Sequence, residues 1–184
     1  MPPSTVTAET QNLVWHEYFS VVRLNRYYTE LHQRHRKWRD RLQISLLVIP
    51  AGGVLGIIED LRAPQWVVPI ASLLVVGLVC ANSIWGLSKK TVVLEVVAYE
   101  CTRLELKWMH LWMDAWLGRI SDKAAREMNR ALMDRLNAIT DRPYQAGVGE
   151  DSDLNEQCQK EAKAIIEQRW ASLSAEDAAL SVTS

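Results

Sequence analysis

His32 and His35 stand three residues apart, a spacing that on a helix brings two imidazoles to one face, where they could share a metal ion. No further ligand pattern lies beside them, and the flanking Arg34, Arg36, Lys37, Arg39 and Arg41 repel a cation. Solvated or interfacial histidines are the plainer reading. His110 falls among tryptophans and reads as helix packing. Catalytic motifs are missing: no Gly-rich phosphate loop, no GxSxG elbow and no HExxH. Glu95, Glu100, Glu105 and Asp114 share one helical stretch with Arg103 and Lys107, which makes them a solvated flank rather than paired acids. Cys80, Cys101 and Cys158 are far apart and follow no metal-like spacing, so they read as reduced, packed thiols. The expectation is a protein that is not an enzyme and holds neither metal nor cofactor.

The chemistry that remains is phosphate recognition. Guanidinium forks suit bidentate contact with phosphate, and Arg23 and Arg26 are the best placed to offer it. Tyr27 and Tyr28 beside them could stack on a base, although helix packing explains both rings equally well. For Arg34, Arg36, Lys37, Arg39 and Arg41, attraction to anionic lipid is the simpler role. A net charge of −1 carries no global electrostatic message, and no nucleic-acid partner is expected.

These groups must be positioned by helices, since no alternating strand pattern of useful length occurs. Two uncharged apolar blocks, Leu42–Ile58 and Trp66–Leu87, lie seven residues apart; the charges between Leu42 and Ser88 (Glu59, Asp60, Arg62) all sit in the connector. At about 1.5 Å per residue the second block spans roughly 33 Å and the first roughly 25 Å, near the lower limit for a bilayer. This predicts an all-α membrane protein, a two-helix transmembrane hairpin (42–58 and 66–87) with a helical cytoplasmic bundle. The other reading is a buried helical hairpin in a soluble core. Basic residues before the first block and Lys89 and Lys90 after the second place both termini in the cytoplasm. Trp38, Trp66 and Trp85 fit interfacial positions, and residues 1–12 lack the apolar core of a cleavable signal. Gly52 and Gly56 form a GxxxG for close helix approach. Together with Gln43, Ser45, Ser72, Asn82 and Ser83 they are the candidate helix-packing or pore-lining residues.

The rest divides into a disordered start (1–9), an amphipathic helix with a basic end (10–41), a long helix and the one after it (88–142), a linker (143–153), a last helix (154–173) and a tail (174–184). The first stripe runs through Leu13 or Val14, Tyr18, Val21, Leu24, Tyr28 and Leu31, with a bend expected near His32–Arg36. In the long helix Leu94, Val97, Cys101, Leu104, Trp108, Leu111 and Ala115 are spaced as a coiled-coil seam. Leu104, Trp108, Leu111, Trp112 and Trp116 are the candidate interface, either with the chain's own N-terminal helix or with another copy. Gly118 ends this helix and Ser121 caps the next, whose stripe is Met128, Leu132, Leu136 and Ile139. Asp153 and Glu156 make a capping box for the last helix, which carries Leu154, Cys158, Ala162, Ile165 and Trp170.

Taken together, Trp15–Tyr28 before the basic run, the hairpin Leu42–Leu87 and the helix Lys89–Leu117 resemble the SLATT family of bacterial two-transmembrane effectors. The resemblance implies a pore-forming or membrane-disrupting effector of anti-phage defence, governed by a partner that senses or makes nucleotides, with no catalytic residues. The expected protein is a homo-oligomer of the bacterial inner membrane. Its partners would be the lipid bilayer and a cyclic nucleotide or a nucleotidyltransferase-linked regulator, and on that signal it would permeabilise or depolarise the membrane. The alternative is a non-conducting anchor or scaffold carrying a helical interaction module.

Overall fold

Helix-favouring residues dominate the stretches on either side of the apolar blocks, and Gly118 and Gly147 stand where the chain turns between helices. The computed structural model describes residues 6–58, 70, 73, 74, 76, 77, 79 and 87–182, with side chains described for 6–45, the six isolated positions and 88–171. Four helices follow in order: α1 (Ala8–Ile58), α2 (Leu87–Trp116), α3 (Asp122–Gln145) and α4 (Ser152–Val182). The 51 residues of α1 extend roughly 77 Å at about 1.5 Å per residue.

α1 and α2 form the central pair. Cross-contacts fix their antiparallel sense: Gln11 Nε2 donates to the Ala115 carbonyl, Asn25 Nδ2 to Glu105, and the His32 ring lies against the Thr91 carbonyl. Val14, Tyr18, Val21, Val22, Tyr28 and Leu31 are buried on one side of the seam, and every residue of the Leu94-to-Ala115 series on the other. The series is buried because a 3-4 spacing keeps one face of a helix toward its partner. α3 lies along α2 and also touches α1, whereas α4 lies along α1. One polar bond ties α3 down: fully buried Trp108 donates from Nε1 to Asn129 Oδ1 at 2.8 Å.

The turns follow local chemistry. Gly118 adopts φ 66° just past α2, and the Arg119 amide reaches back to the Asp114 carbonyl at 2.9 Å. Ser121 caps α3 by accepting from the Ala124 amide. Asp122 accepts from both the amide and the hydroxyl of Thr7, joining the start of α1 to the start of α3. Those bonds hold its carboxyl well below the usual carboxylate range. After α3, Gly147 at φ 70° allows the Val148 amide to bond the Pro143 carbonyl at 2.9 Å.

Several expectations are corrected. The transmembrane hairpin is not supported: among the described residues no helix is long and apolar enough to cross a membrane. Leu42–Ile58 is the continuation of α1 rather than a separate element, and at 17 residues, interrupted by Pro50 and three glycines, it was short for a span. Within the second block Ile70, Leu73, Leu74, Val76, Gly77 and Val79 are helical; Ser72, Asn82, Ser83, Cys80, Trp66 and Trp85 lie outside the described residues. The described apolar side chains of that block, Ile70, Leu73, Leu74, Val76 and Val79, are all exposed, so the uncharged run marks neither a span nor a buried element there, and composition alone could not decide. What holds is the all-α class. α1 passes His32–Arg36 without interruption, and α4 runs on through 174–182 where a tail was expected. Val6, placed in a disordered start, is buried. Asp151, not Asp153, caps α4, its Oδ1 accepting from the Leu154 amide at 3.0 Å.

Candidate functional site

Arg23, Tyr27 and Tyr28 sit on neighbouring turns of α1, and the structure brings them to one cavity of about 280 Å³. The opposite wall comes from more than a hundred residues away: Pro143 and Tyr144 at the end of α3, and Glu150 in the loop before α4. The Arg23 Nε is buried and finds no hydrogen-bond partner among the described residues. That is unusual, because buried donors are nearly always satisfied. Arg26, one turn-position away, is exposed and not on this wall.

The two tyrosines are walls rather than free stacking platforms. Tyr27 and Tyr28 pack edge to face at 5.2 Å, and the Tyr27 hydroxyl accepts from the Asp151 amide at 3.0 Å. Burial pushes the Tyr28 phenol up to about 12, and burial likewise raises Tyr27. Both rings therefore stay neutral across the physiological range. Tyr144 differs: it is 85% exposed at the mouth beside Pro143, so its face is open to a flat group. Asp151 joins the loop to α1, since its Oδ2 pairs with Arg34 at 3.1 Å while its Oδ1 caps α4.

The candidate interface residues divide. Leu104, Trp108 and Leu111 are fully buried within the chain, and Trp112 nearly so, whereas Trp116 is 48% exposed. Trp112 and Trp116 belong to a cluster with Trp15 of α1 and Trp170 of α4, ring centroids 5.1 to 6.2 Å apart. Beneath it Arg169 pairs with Glu105 at 2.8 Å and also donates to the Tyr18 hydroxyl. Glu105, expected on a solvated flank, is thus a buried acid, and Asn25 donates to its second oxygen at 2.7 Å. Glu100 is likewise engaged, pairing with Arg135 at 2.6 Å, which holds its carboxyl below the usual range.

Other candidates are dispersed. Gln43 is exposed, and Ser45 donates to the Arg41 carbonyl of its own helix at 2.9 Å. Gly52 and Gly56 belong to α1, with no side-chain surroundings described. His32 sits beside the Thr91 carbonyl, and burial, then the nearby Lys90 charge, lowers His35. Among the described residues no group of three or more His, Cys, Asp or Glu could hold a metal ion. Cys101 is buried and pushed up to about 12 by burial, which removes its thiolate chemistry at neutral pH.

The chain matches no family model, no curated protein and no solved structure. The SLATT resemblance finds no support in these comparisons, and the hairpin that was part of it is not supported by the fold. What sequence reading missed is the far wall of the Arg23 cavity, because Pro143 and Tyr144 fall in what reads as the edge of a linker. It also missed Trp15, Arg169 and Glu105, which meet only once three helices are packed.

Proposed function

We propose that the protein is a non-enzymatic, ligand-responsive helical effector module. A small anion-bearing molecule seats against Arg23 and biases how the α3–α4 loop and α4 lie on α1. A second copy of the chain, or a partner, reads that packing. The unpartnered Arg23 Nε carries this reading. A buried donor left unsatisfied costs about 1–3 kcal/mol, more when charged, and an anionic acceptor removes that cost. Phosphate suits a guanidinium best, and the cavity volume lies just below the usual range of small-molecule sites. A nucleotide-sized ligand would place its phosphate at Arg23 and its ring over Tyr144 and Pro143. The permeabilising half of the expectation depended on the hairpin and is not carried forward; the helical interaction module is.

A ligand shifts such an equilibrium only by its different affinity for the two packings. Isothermal titration of the full chain with inorganic phosphate, a mononucleotide and a cyclic nucleotide tests the site directly. Saturable binding is expected, weakened roughly tenfold or more in Arg23→Gln, the equivalent of one charge-assisted hydrogen bond. Sedimentation should show the oligomer distribution moving with occupancy. No saturable binding of any of the three by the unaltered protein overturns the reading.

A further inference from the structure

We propose that the cavity walled by Trp15, Met109, Trp112, Met113, Ile166 and Trp170 binds an uncharged, ring-bearing apolar small molecule. The inference stands on observations separate from the Arg23 cavity. This second space measures about 320 Å³ and lies where α1, α2 and α4 converge. A neighbouring lobe shares Trp15, Trp112, Ile166 and Trp170 with it and is completed by Gln11, Asn12, Trp116 and Glu167, whose carboxylate pairs with Lys163. Protein interiors hold few voids larger than a water molecule. An apolar cavity of about 150 Å³ takes up benzene. Roughly twice that space, between helices, suits a two-ring molecule.

The chemistry of the walls selects the ligand. Indole faces and edges meet at tilted and T-shaped angles, the arrangement in which a further aromatic ring packs well. The thioethers of Met109 and Met113 are flexible and polarisable, so they adjust to ring shape. Charge is already answered on the floor: Arg169 is engaged by Glu105 and Tyr18, and Glu105 also accepts from Asn25. An anion entering here would have to displace Glu105, and a cation would meet Arg169. Either would leave its water without gaining a partner. Trp170, which lines this space, and Trp116, which lines the neighbouring lobe, are 40% and 48% exposed, so entry needs no unfolding of the core.

The whole chain titrated with N-phenyl-1-naphthylamine, an uncharged fluorophore that joins a phenyl ring to a naphthalene, tests the site. Saturable binding of one molecule per chain is expected, with quenching of tryptophan emission by energy transfer. Anilinonaphthalene sulfonate, of similar shape but anionic, should bind at least about tenfold more weakly, a difference of about 1.4 kcal/mol. Met109→Trp and Met113→Trp fill the space and should weaken the neutral probe by a similar factor while circular dichroism stays unchanged. Trp170→Ala, at a partly exposed position, removes one wall and should weaken it as well, which keeps the test intact if a filled variant fails to fold. Arg23→Gln should leave the titration unaltered. Absence of saturation in the unaltered protein, equal affinity for the anionic probe, or binding that survives the filling and wall-removing substitutions overturns the proposal.

Discussion

Arg23 and Arg169 face cavities of similar size on the same bundle, and their surroundings are opposite. Arg169 of α4 reaches across to α2, where Glu105 pairs with it and Tyr18 accepts from it. Arg23 faces α3 and the following loop with its Nε unanswered. The same guanidinium therefore makes one cavity neutral and the other anion-seeking. What a half-buried guanidinium does is decided by its partner rather than by the residue type, since the desolvated part of the charge is tolerated best when it is paired. α4 borders both spaces: Asn155 near its start lines the first, and Ile166, Arg169 and Trp170 line the second.

The largest effect should come where burial and pairing coincide most fully. Trp108→Ala removes a fully buried indole and leaves Asn129 without its donor. The expected loss is about 3–5 kcal/mol, read as a lower urea midpoint, and α3 should exchange its amide hydrogens faster than α4. A loss below about 1 kcal/mol would show that the site refills on truncation.

Next comes the direct conversion of one cavity into the other. Glu105→Leu strips Arg169 of its carboxylate and Asn25 of its acceptor. Because Arg169 is partly exposed, the destabilisation should be nearer about 1–3 kcal/mol than the full cost of breaking a buried pair. The informative readout is selectivity. Anilinonaphthalene sulfonate should now bind the Trp-walled cavity better than it does in the unaltered protein. If its affinity does not rise, pairing is not what keeps that cavity neutral.

These contrasts also explain what could be read from the chain. The 3-4 spacing from Leu94 to Ala115 identified its buried face residue for residue, because apolar periodicity reports directly on which side of a helix meets its partner. Gly118 and Ser121 were legible for the same local reason. Polar residues were not. Asn129 is buried and Met128 half exposed, the reverse of the expected stripe, because the Trp108 indole requires an acceptor. Glu105 was assigned to solvent because its partner stands 64 positions away on α4. Ile166, not Ile165, continues the four-residue spacing of Leu154, Cys158 and Ala162, a shift of one that periodicity resolves poorly near a helix end. Arg23, Tyr27 and Tyr28 could be grouped from their own helix. Nothing local told Arg23 from Arg26 or pointed to Tyr144.

Alkaline pH should loosen the bundle. Cys101 and Tyr28, raised from 9.0 and 10.0 to about 12 chiefly by burial, keep their protons in the folded chain after the unfolded chain has released them. The unfolded state then holds fewer protons, so stability present below about pH 9 falls as pH rises toward 12. Discounted for solvent screening of the charged form, the Tyr28 share should be roughly 1–2 kcal/mol. Tyr28→Phe should flatten the decline between pH 10 and 12, measured as urea midpoint against pH. An identical slope in the variant would remove Tyr28 from the account.

The smallest effect on stability should be the most telling for function. Arg23→Met keeps an apolar stem in the cavity wall while deleting a charge whose Nε has no partner to lose. Its folding free energy should change by less than about 0.5 kcal/mol, or rise, because replacing an unsatisfied buried donor with an apolar group of similar shape is neutral to favourable. Phosphate binding should fall roughly tenfold or more in the same variant. The opposite result, a marked loss of stability with phosphate affinity intact, would mean that Arg23 serves the fold and that its cavity binds nothing through it. Glu105→Leu and Arg23→Met thus form a pair: one unsettles the bundle and creates an anion site, the other leaves the bundle alone and removes one.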